Sequence, residues 1–274
     1  FYQNISVVIS TLNAEKSLEN CLRSLVCQTK LPQIIIIDGG STDGTLEIVK
    51  KYEAYIDYHK SEPDTGIYDA WNKALSKVKC EWVYFLGADD TIYSPNTIET
   101  VSKQLSQIPK ETTIAYGKII FVKKNKKQII QGAPWNKISS KFRYHMMIPH
   151  QGTFHRSKLF EEYGSFDTTY KVAGDYDLIL KTMNKSTPVF IGDTIVSYMH
   201  EGGVSSQPQY TYKILEEFWR ASAKVRNLKD NLSWYVIYFR AWVKLVLYMI
   251  RNLTSYLTVE NCSRLFRMVI NGKP

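Results

Sequence analysis

The stretch that decides the fold is Trp82-Val83-Tyr84-Phe85-Leu86-Gly87-Ala88-Asp89-Asp90. Its apolar and aromatic start is typical of a strand buried on both faces of a parallel sheet. Two carboxylates follow where that strand ends, and open α/β sheets bind their ligands at the carboxyl ends of their strands. Adjacent carboxylates repel each other, so one interpretation is a divalent metal that also carries a phosphate group. The alternative is a solvated Asp-Asp turn, because aspartate is common in turns.

The segments before this strand alternate in the same way. Residues 5–9 and 34–37 are β-branched runs that predict buried strands, and residues 55–59 predict another. Apolar residues at helical spacing predict helices over about 14–27, 45–52 and 67–78. This alternation predicts an α/β fold with a Rossmann-like, mostly parallel sheet flanked by helices. The loops after the strands would then bring Thr11, Asp38 and Asp89 to one crevice.

The pattern is less regular after Pro95. Residues 114–122 and 128–131 predict a hairpin whose basic tip is best interpreted as a solvated turn. Residues 149–154 predict a strand that approaches the crevice, and 189–191 and 194–198 predict two short strands. A helix is expected to begin at Asp175, where acidic side chains suit the helix dipole.

Composition indicates a globular chain with anionic partners. The 274 residues are 44% hydrophobic and 22% charged, and the net charge is +9. An excess of positive charge favours nucleotides, phosphates or an acidic membrane surface. Nucleic acid is not expected as a partner, because the excess charge is scattered and acids cluster where a groove should be positive. The four cysteines show no metal-binding spacing and are interpreted as reduced thiols.

No signal peptide is evident, and no apolar stretch reaches the length of about 18 residues that a spanning helix needs. We therefore expect a cytoplasmic protein. The chain is divided into a catalytic domain over residues 1–207 and a C-terminal helical appendage over 208–274.

The order of the motifs resembles the family 2 glycosyltransferases, whose nucleotide-sugar-binding fold is called GT-A. The matching segments are residues 7–13, 37–45, 64–73, 86–90, 166–167 and 175–178. No single motif is decisive, but the series in this order is specific. The closest likeness is to bacterial enzymes that build surface polysaccharides.

The resemblance implies a donor site at the start of the chain. Ser10, Thr11 and Leu12 would line the nucleobase pocket, and Asp38 would accept a hydrogen bond from a uracil ring. An ionised aspartate is suited to that role because it only accepts hydrogen bonds.

Two acids and a lysine follow in the next turn and helix. By resemblance, Asp64 and Asp69 lie near the nucleotide and donor, and Lys73 faces the diphosphate. Helix capping is an equally good interpretation of both acids, and an exposed helix lysine is the commoner case for Lys73.

The metal-binding motif departs from the family pattern. Asp89 matches the metal-binding member of the DxD motif, but its first acid is replaced by Gly87. That acid often contacts the ribose, so the contact would fall to the backbone of Ala88, to Asp90 or to no residue. The metal would be Mg²⁺ or Mn²⁺, held by Asp89 or Asp90, with Asp89 favoured. His200 would be a further ligand, although a lone loop histidine is more often simply solvated.

The catalytic base also stands in a changed motif. Asp175 matches the second residue of the family's ED pair, whereas the preceding acid is replaced by Gly174. With a base on the acceptor side and no evident covalent nucleophile, direct displacement would invert the anomeric centre.

The C-terminal arm has the composition of a membrane-surface helix. Residues 231–259 contain no Asp or Glu, and Arg240, Lys244 and Arg251 fall on one face at helical spacing. Such a helix can lie in a bilayer interface on the inner face of the plasma membrane, where a lipid-linked acceptor would be reached. The alternatives are packing on the catalytic domain and a homodimer contact.

The sequence therefore predicts an inverting glycosyltransferase that moves a sugar from a nucleoside diphosphate, with UDP the expected carrier, to a glycan or lipid-linked acceptor. A non-catalytic nucleotide-binding or membrane-adaptor module is the main alternative, supported by the glycines at 87 and 174. A sugar nucleotidyltransferase is disfavoured, because the loop 10–13 lacks the glycines of the GxGxRL signature.

Overall fold

The computed structural model describes residues 4–142, 144–183, 185–202, 211–223, 225, 234–237, 239 and 243. In that part of the chain the strands are β1 (Ile5–Thr11), β2 (Gln33–Asp38), β3 (Tyr58–Ser61), β4 (Trp82–Gly87), β5 (Thr91–Ile92), β6 (Ile114–Val122), β7 (Gln128–Gln131), β8 (Thr153–Arg156) and β9 (Val189–His200). The helices are α1 (Leu18–Val26), α2 (Thr45–Lys51), α3 (Ile67–Leu75), α4 (Thr97–Leu105), α5 (Trp135–Phe142), α6 (Lys158–Tyr163), α7 (Gly174–Thr182) and α8 (Thr211–Ser222).

The described strands form one sheet in the order β3-β2-β1-β4-β8-β6-β9-β5, with β7 paired to β6. The first four in this order are mutually parallel, as is the pair β6 and β9. Strand β8 runs antiparallel to both β4 and β6, so it joins the N-terminal parallel half to the rest. The α/β class predicted from the sequence is confirmed, with antiparallel pairs concentrated in the C-terminal half.

Helices cover both faces of the central strands, which is why those strands are apolar throughout. Val8 faces a core that contains Tyr68 and Trp71 of α3. Val7 and Ile9 face the opposite core, which contains the buried leucines of α1. Because successive strand residues point to opposite faces, a strand covered on both sides needs no polar alternation.

Four predicted strands differ from the observed ones. Residues 53–55 form a 3₁₀ turn after α2, so β3 begins only at Tyr58. Residues 150–152 form another 3₁₀ turn, because the Gln151 carbonyl accepts hydrogen bonds from Tyr84 and Ser197 instead of joining the sheet. The strand of this region, β8, begins only at Thr153 and continues to Arg156. The two short strands after 189 are one strand, β9, in which Gly192 has a φ of 77°.

The hairpin of β6 and β7 is confirmed. Cys21, which is buried, and Cys27, which is exposed, are free thiols. In the described residues no helix has the length and apolar character needed to cross a membrane. Most of the predicted membrane-surface arm lies outside the described residues.

Candidate active site

The register of the sheet brings the predicted nucleotide-binding residues together. Thr11 and Asp38 are partners at the ends of β1 and β2, and Ser10 is the partner of Gly87 at the end of β4. The Gly39 N–H donates to the Thr11 carbonyl at 2.8 Å, which closes the two strand ends onto each other. The three strand ends thus lie side by side at one edge of the sheet, where the sequence predicts the nucleotide-binding crevice.

Leu12 projects at this crevice. Its side chain is 58% exposed, which is unusual for a leucine beside a buried sheet. The preceding Thr11 is buried, and its hydroxyl has no hydrogen-bond partner among the described residues. An exposed apolar side chain at a strand end is suited to packing against the flat ring of a nucleobase.

Asp38 shapes the loop that follows β2. Its Oδ2 accepts hydrogen bonds from the N–H groups of Gly40 and Ser41 and from the Ser61 hydroxyl, at 2.6–3.0 Å. Burial raises the pKa of Asp38, but the bonds from Ser41 and Ser61 outweigh burial and hold the pKa below its ordinary value. Its Oδ1 accepts one bond, from the Ser41 hydroxyl, and a carboxylate oxygen can accept two.

Asp64 and Asp69 both bind loop backbone. Asp64 accepts from the Gly66 N–H at 2.9 Å, and it packs so tightly on Gly39 that a Cβ there would lie 2.6 Å from its Oδ2. Asp69 accepts from the Thr65 N–H at 3.0 Å, which holds the pKa of Asp69 below its ordinary value. The capping interpretation thus describes the contacts of Asp69, whereas Asp64 also faces the crevice beside Leu12.

Lys73 is committed to the same loop. Its Nζ donates to the Pro63 carbonyl at 2.9 Å and lies 3.4 Å from both Glu62 and Asp69. Its contacts therefore order the segment that carries Asp64.

The acids after β4 differ in environment. Asp89 is exposed, and Ala88 is half-buried. Asp90 is 2% exposed, and burial, with the charge of Asp89, raises the pKa of Asp90 to about 7. Asp90 accepts a hydrogen bond from the His200 backbone N–H at 3.0 Å.

His200 joins this pair through its ring. Its Nδ1 lies 3.0 Å from the Asp89 carbonyl oxygen. A carbonyl oxygen only accepts, so Nδ1 carries the hydrogen and Nε2 of the neutral ring keeps a lone pair. In the part of the chain that the structure describes, no group of three His, Cys, Asp or Glu side chains is placed to hold a metal ion by itself.

Asp175 lies in the first turn of α7 with three polar partners. Its Oδ2 is 3.2 Å from Nδ1 of His150, and its Oδ1 accepts from the Tyr176 N–H and the Tyr68 hydroxyl. The side chains of Asp175 and His150 are only 14% and 12% exposed. Burial raises the pKa of Asp175, but His150 and these donors outweigh burial and hold the pKa below its ordinary value.

Two consecutive residues, His150 and Gln151, connect the candidate base Asp175 with Asp90 at the end of β4. His150 contacts Asp175, and the side chain of the next residue, Gln151, lies near Asp90 and lowers the pKa of that carboxyl. The His150 ring is stacked on Trp71, with ring centroids 4.8 Å apart. The short 3₁₀ turn therefore fixes the base candidate relative to the metal candidates.

At both glycines that replace family acids, a side chain would require a neighbouring side chain to move. A Cβ at Gly87 would lie 2.6 Å from Oδ2 of Asp90 and 2.9 Å from Oδ1 of Asp89. A Cβ at Gly174 would lie 2.8–3.0 Å from three ring carbons of Tyr68. These departures are thus matched by the surrounding side chains.

The comparisons with known proteins agree with this architecture. Residues 6–169, more than half of the chain, match the family described as Glycosyl transferase family 2. The chain belongs to glycosyl transferase family 2. It is therefore a glycosyltransferase, and the resemblance inferred from the motifs is confirmed.

One relative of this glycosyltransferase is a Mycobacterium tuberculosis protein named PGL/p-HBAD biosynthesis glycosyltransferase. The two are 29% identical over 208 residues, which cover 73% of this chain and 78% of the relative.

Two solved structures show the same fold. Staphylococcus aureus TarS 1–349 in complex with UDP has a TM-score of 0.62 at 21% identity, covering 79% of this chain and 64% of that one. The glycosyltransferase thus spans less than two thirds of that TarS chain. The mannosyltransferase PcManGT from Pyrobaculum calidifontis, in complex with GDP-Man and Mn²⁺, has a TM-score of 0.57 at 15% identity, covering 94% and 88% of the two chains. These likenesses establish the GT-A fold.

Sequence reasoning missed Tyr68, His150, Gln151 and Glu217. Tyr68 lies in a family motif at 64–73, but its contact with Asp175 spans 107 positions, and no local pattern announces it. His150 lies in a segment that was interpreted only as a strand approaching the crevice.

Proposed function

We propose that this glycosyltransferase transfers a sugar from a UDP-sugar to an acceptor hydroxyl, with inversion, and that Asp175 is the catalytic base. The observation that carries the proposal is the Asp175 carboxylate. His150 and the donors around it hold the pKa of this carboxylate below its ordinary value, and the turn that contains His150 also lies beside Asp90. A nucleotide-binding protein without catalytic activity has no need of such a carboxylate.

The donor site is proposed at the ends of β1 and β2. Leu12 offers apolar surface to the base. Asp38 is 1% exposed, and its Oδ1 keeps one acceptor position that a base would reach when the loop after β2 moves aside. Uridine suits this acceptor because its ring N–H is a donor. UDP in the TarS structure supports the same base, although the GDP-Man of the mannosyltransferase shows that the fold also accepts guanosine.

Asp89 is the proposed protein ligand of Mg²⁺ or Mn²⁺, and His200 is the second candidate. The donor set fits a hard divalent cation, because such ions are often held by one or two carboxylates and completed by substrate phosphates. Burial first, and then the charge of Asp89, raises the pKa of Asp90, so a bound cation would favour the charged form of this carboxyl. His200 donates Nδ1–H to a backbone carbonyl, the arrangement that usually orients a metal-binding histidine. When bound, the metal would neutralise negative charge on the leaving diphosphate.

The transfer itself is a single displacement. The acceptor oxygen forms a bond to the anomeric carbon while the bond from that carbon to the diphosphate oxygen breaks. Asp175 takes the hydroxyl proton as attack proceeds, and the nucleoside diphosphate leaves as an anion. Tyr68 remains a donor throughout, since burial raises its pKa well above the ordinary value.

The acceptor is proposed to be a glycan or a lipid-linked glycan of surface-polysaccharide assembly, reached from the cytoplasmic face of the membrane. Tyr235, Val236 and Phe239, at the start of the C-terminal arm, are exposed apolar side chains, which suits an interfacial contact. The appendage of residues 208–274 would then place the catalytic domain at the bilayer. Co-sedimentation with anionic liposomes, with and without the residues after Lys229, tests this placement, and equal recovery of both proteins would refute it.

The experiment that tests the function compares wild-type protein with Asp175→Asn. We expect Asp175→Asn to bind UDP in the presence of Mn²⁺ with unchanged affinity and to lose transfer and donor hydrolysis. Near-wild-type turnover by the variant would refute the base assignment. Tight UDP binding by the wild type without hydrolysis or transfer on any tested acceptor would favour the non-catalytic alternative.

A further inference from the structure

Glu217 of α8 is a buried carboxylate outside the residues that match the family. It is 1% exposed, whereas the match ends at residue 169. Its oxygens accept hydrogen bonds from three successive backbone N–H groups, those of Lys171, Val172 and Ala173, at 2.8–3.1 Å. Such a row of N–H groups forms a concave anion-binding site, which here is occupied by the protein's own side chain.

No ion pair among the described residues involves Glu217, and in that part of the chain the hydrogen bonds to its carboxylate come from backbone N–H groups. Lys171, although it contributes its N–H, directs its Nζ to the Thr65 carbonyl at 2.7 Å. A buried carboxylate that accepts from several backbone N–H groups restricts the conformation of that backbone, because each of these bonds is charge-assisted. Glu217 therefore determines the path of residues 171–173.

Residues 171–173 directly precede the helix that carries the candidate base. Helix α7 begins at Gly174, and Asp175 is its second residue. The Val172 carbonyl accepts a hydrogen bond from the Tyr68 hydroxyl at 2.7 Å, and the same hydroxyl lies 3.2 Å from Oδ1 of Asp175. Displacing the segment would thus move the start of α7 and the position of Tyr68 together.

Helix α8 is anchored around this contact. The Arg220 guanidinium lies 3.8 Å from the centroid of the Tyr170 ring and donates to the Thr169 hydroxyl at 3.2 Å. Phe218 packs edge-on against Tyr176, with centroids 4.9 Å apart. These contacts hold the helix in place on either side of Glu217.

We propose that Glu217 is a positioning residue for the catalytic base, so that helix α8 of the C-terminal appendage completes the active site. The proposal rests on the proposed role of Asp175. It assigns a catalytic contribution to a part of the chain that the family match does not include.

The test compares Glu217→Gln with Glu216→Gln in the full chain. Glu216 is the adjacent exposed carboxylate, and its only ion pair among the described residues is with Lys213 at 3.4 Å, so its variant is the matched control. We expect Glu217→Gln to lower kcat at least about tenfold, as small displacements of catalytic groups do. The KM for the donor and the affinity for UDP with Mn²⁺ should stay within about twofold of wild type. A residue that only positions the base does not change how the donor binds, and the KM reports that binding.

A double variant separates positioning from general destabilisation. If Glu217 acts through Asp175, adding Glu217→Gln to Asp175→Asn produces no further loss of the residual rate. A further loss as large as in the wild-type background would overturn the proposal, as would an unchanged kcat in Glu217→Gln. Glu217→Asp, which keeps the charge but is one methylene shorter, is measured in parallel so that the kcat comparison stands if the glutamine variant does not fold.

The outcome also separates this inference from the proposed function. An inactive Asp175→Asn with a fully active Glu217→Gln refutes the role of Glu217 alone. A fully active Asp175→Asn refutes the assignment of the base on which both depend.

Discussion

The Tyr68 ring occupies the space in which a side chain at Gly174 would lie. A Cβ at position 174 would be 2.8–3.0 Å from three ring carbons of Tyr68, and the hydroxyl of that ring reaches Asp175. The acid that the family carries before its base is thus replaced by a tyrosine from α3. The tyrosine supplies a neutral hydrogen bond to Asp175 where the acid would have supplied a second negative charge.

Gly174→Ala should destabilise the protein and lower its activity. Alanine gains up to about 1 kcal/mol of helix propensity over glycine, but overpacking a buried site costs about 1–3 kcal/mol. The ring is fully enclosed, so the clash should outweigh the gain and displace Tyr68 from Asp175. Chemical denaturation and kcat measure both effects. Gly202→Ala is the control, because a Cβ there meets no described atom within 4 Å.

His150→Phe should shift the acid limb of the kcat/KM profile to higher pH. Phenylalanine keeps the stacking on Trp71 but removes the Nδ1 that lies 3.2 Å from Asp175. Without His150, which lowers the pKa of Asp175, the effect of burial raises that pKa. A base must be ionised to act, so a higher pKa means that activity is lost at a higher pH as the solution is acidified. An unchanged acid limb would show that His150 does not tune Asp175.

His155→Phe should remove part of the acid sensitivity of folding. His155 is fully buried among Phe85, Phe160 and Phe166, and burial lowers its pKa from 6.5 to about 3. Between these values the unfolded state binds the proton and the folded state does not, so stability falls as pH falls, by at most about 1.4 kcal/mol per pH unit.

The free energy of unfolding measured from pH 4 to pH 8 tests this sign. The wild type should lose stability relative to His155→Phe as pH falls below about 6.5. The exposed His59, replaced by Gln, is the control. Parallel curves for wild type and His155→Phe would contradict the prediction.

Asp89→Asn should remove the Mn²⁺-dependent part of UDP binding. Asp89 is exposed at the crevice, whereas Asp90 is buried and bonded to the His200 backbone, so Asp89 is better placed as the ligand. We expect the affinity gained by adding Mn²⁺ to fall at least about tenfold, with binding in EDTA unchanged. Calorimetry measures both. Asp193→Asn, an exposed carboxylate on β9, should behave as wild type.

The sequence predicted the central sheet well because its signal is local. The strands β1, β2 and β4 are covered on both faces, so each is a continuous apolar run that ends in a polar loop. Parallel order then required Thr11, Asp38 and Asp89 to meet at one edge. The start of β3 was misplaced because residues 52–55 carry no residue that ends the preceding helical turn.

The environment of the base could not be predicted in this way. Asp175 was found from its motif, but its partners Tyr68 and His150 come from α3 and from a 3₁₀ turn, 107 and 25 residues away. Glu217 lies in an amphipathic helix where a glutamate is expected to be solvated, yet it is buried by the segment 171–173. Such contacts depend on how distant segments pack, and periodicity carries no information about them.

The central claim is that UDP and a divalent metal bind in the crevice formed by the ends of β1, β2 and β4. A crystal structure of the protein with UDP and Mn²⁺ tests it most directly. The account predicts the uracil beside Leu12 and Asp38, with the diphosphate and the metal next to Asp89. An ordered nucleotide bound elsewhere, or an empty crevice at a UDP concentration that saturates the protein in solution, would contradict it.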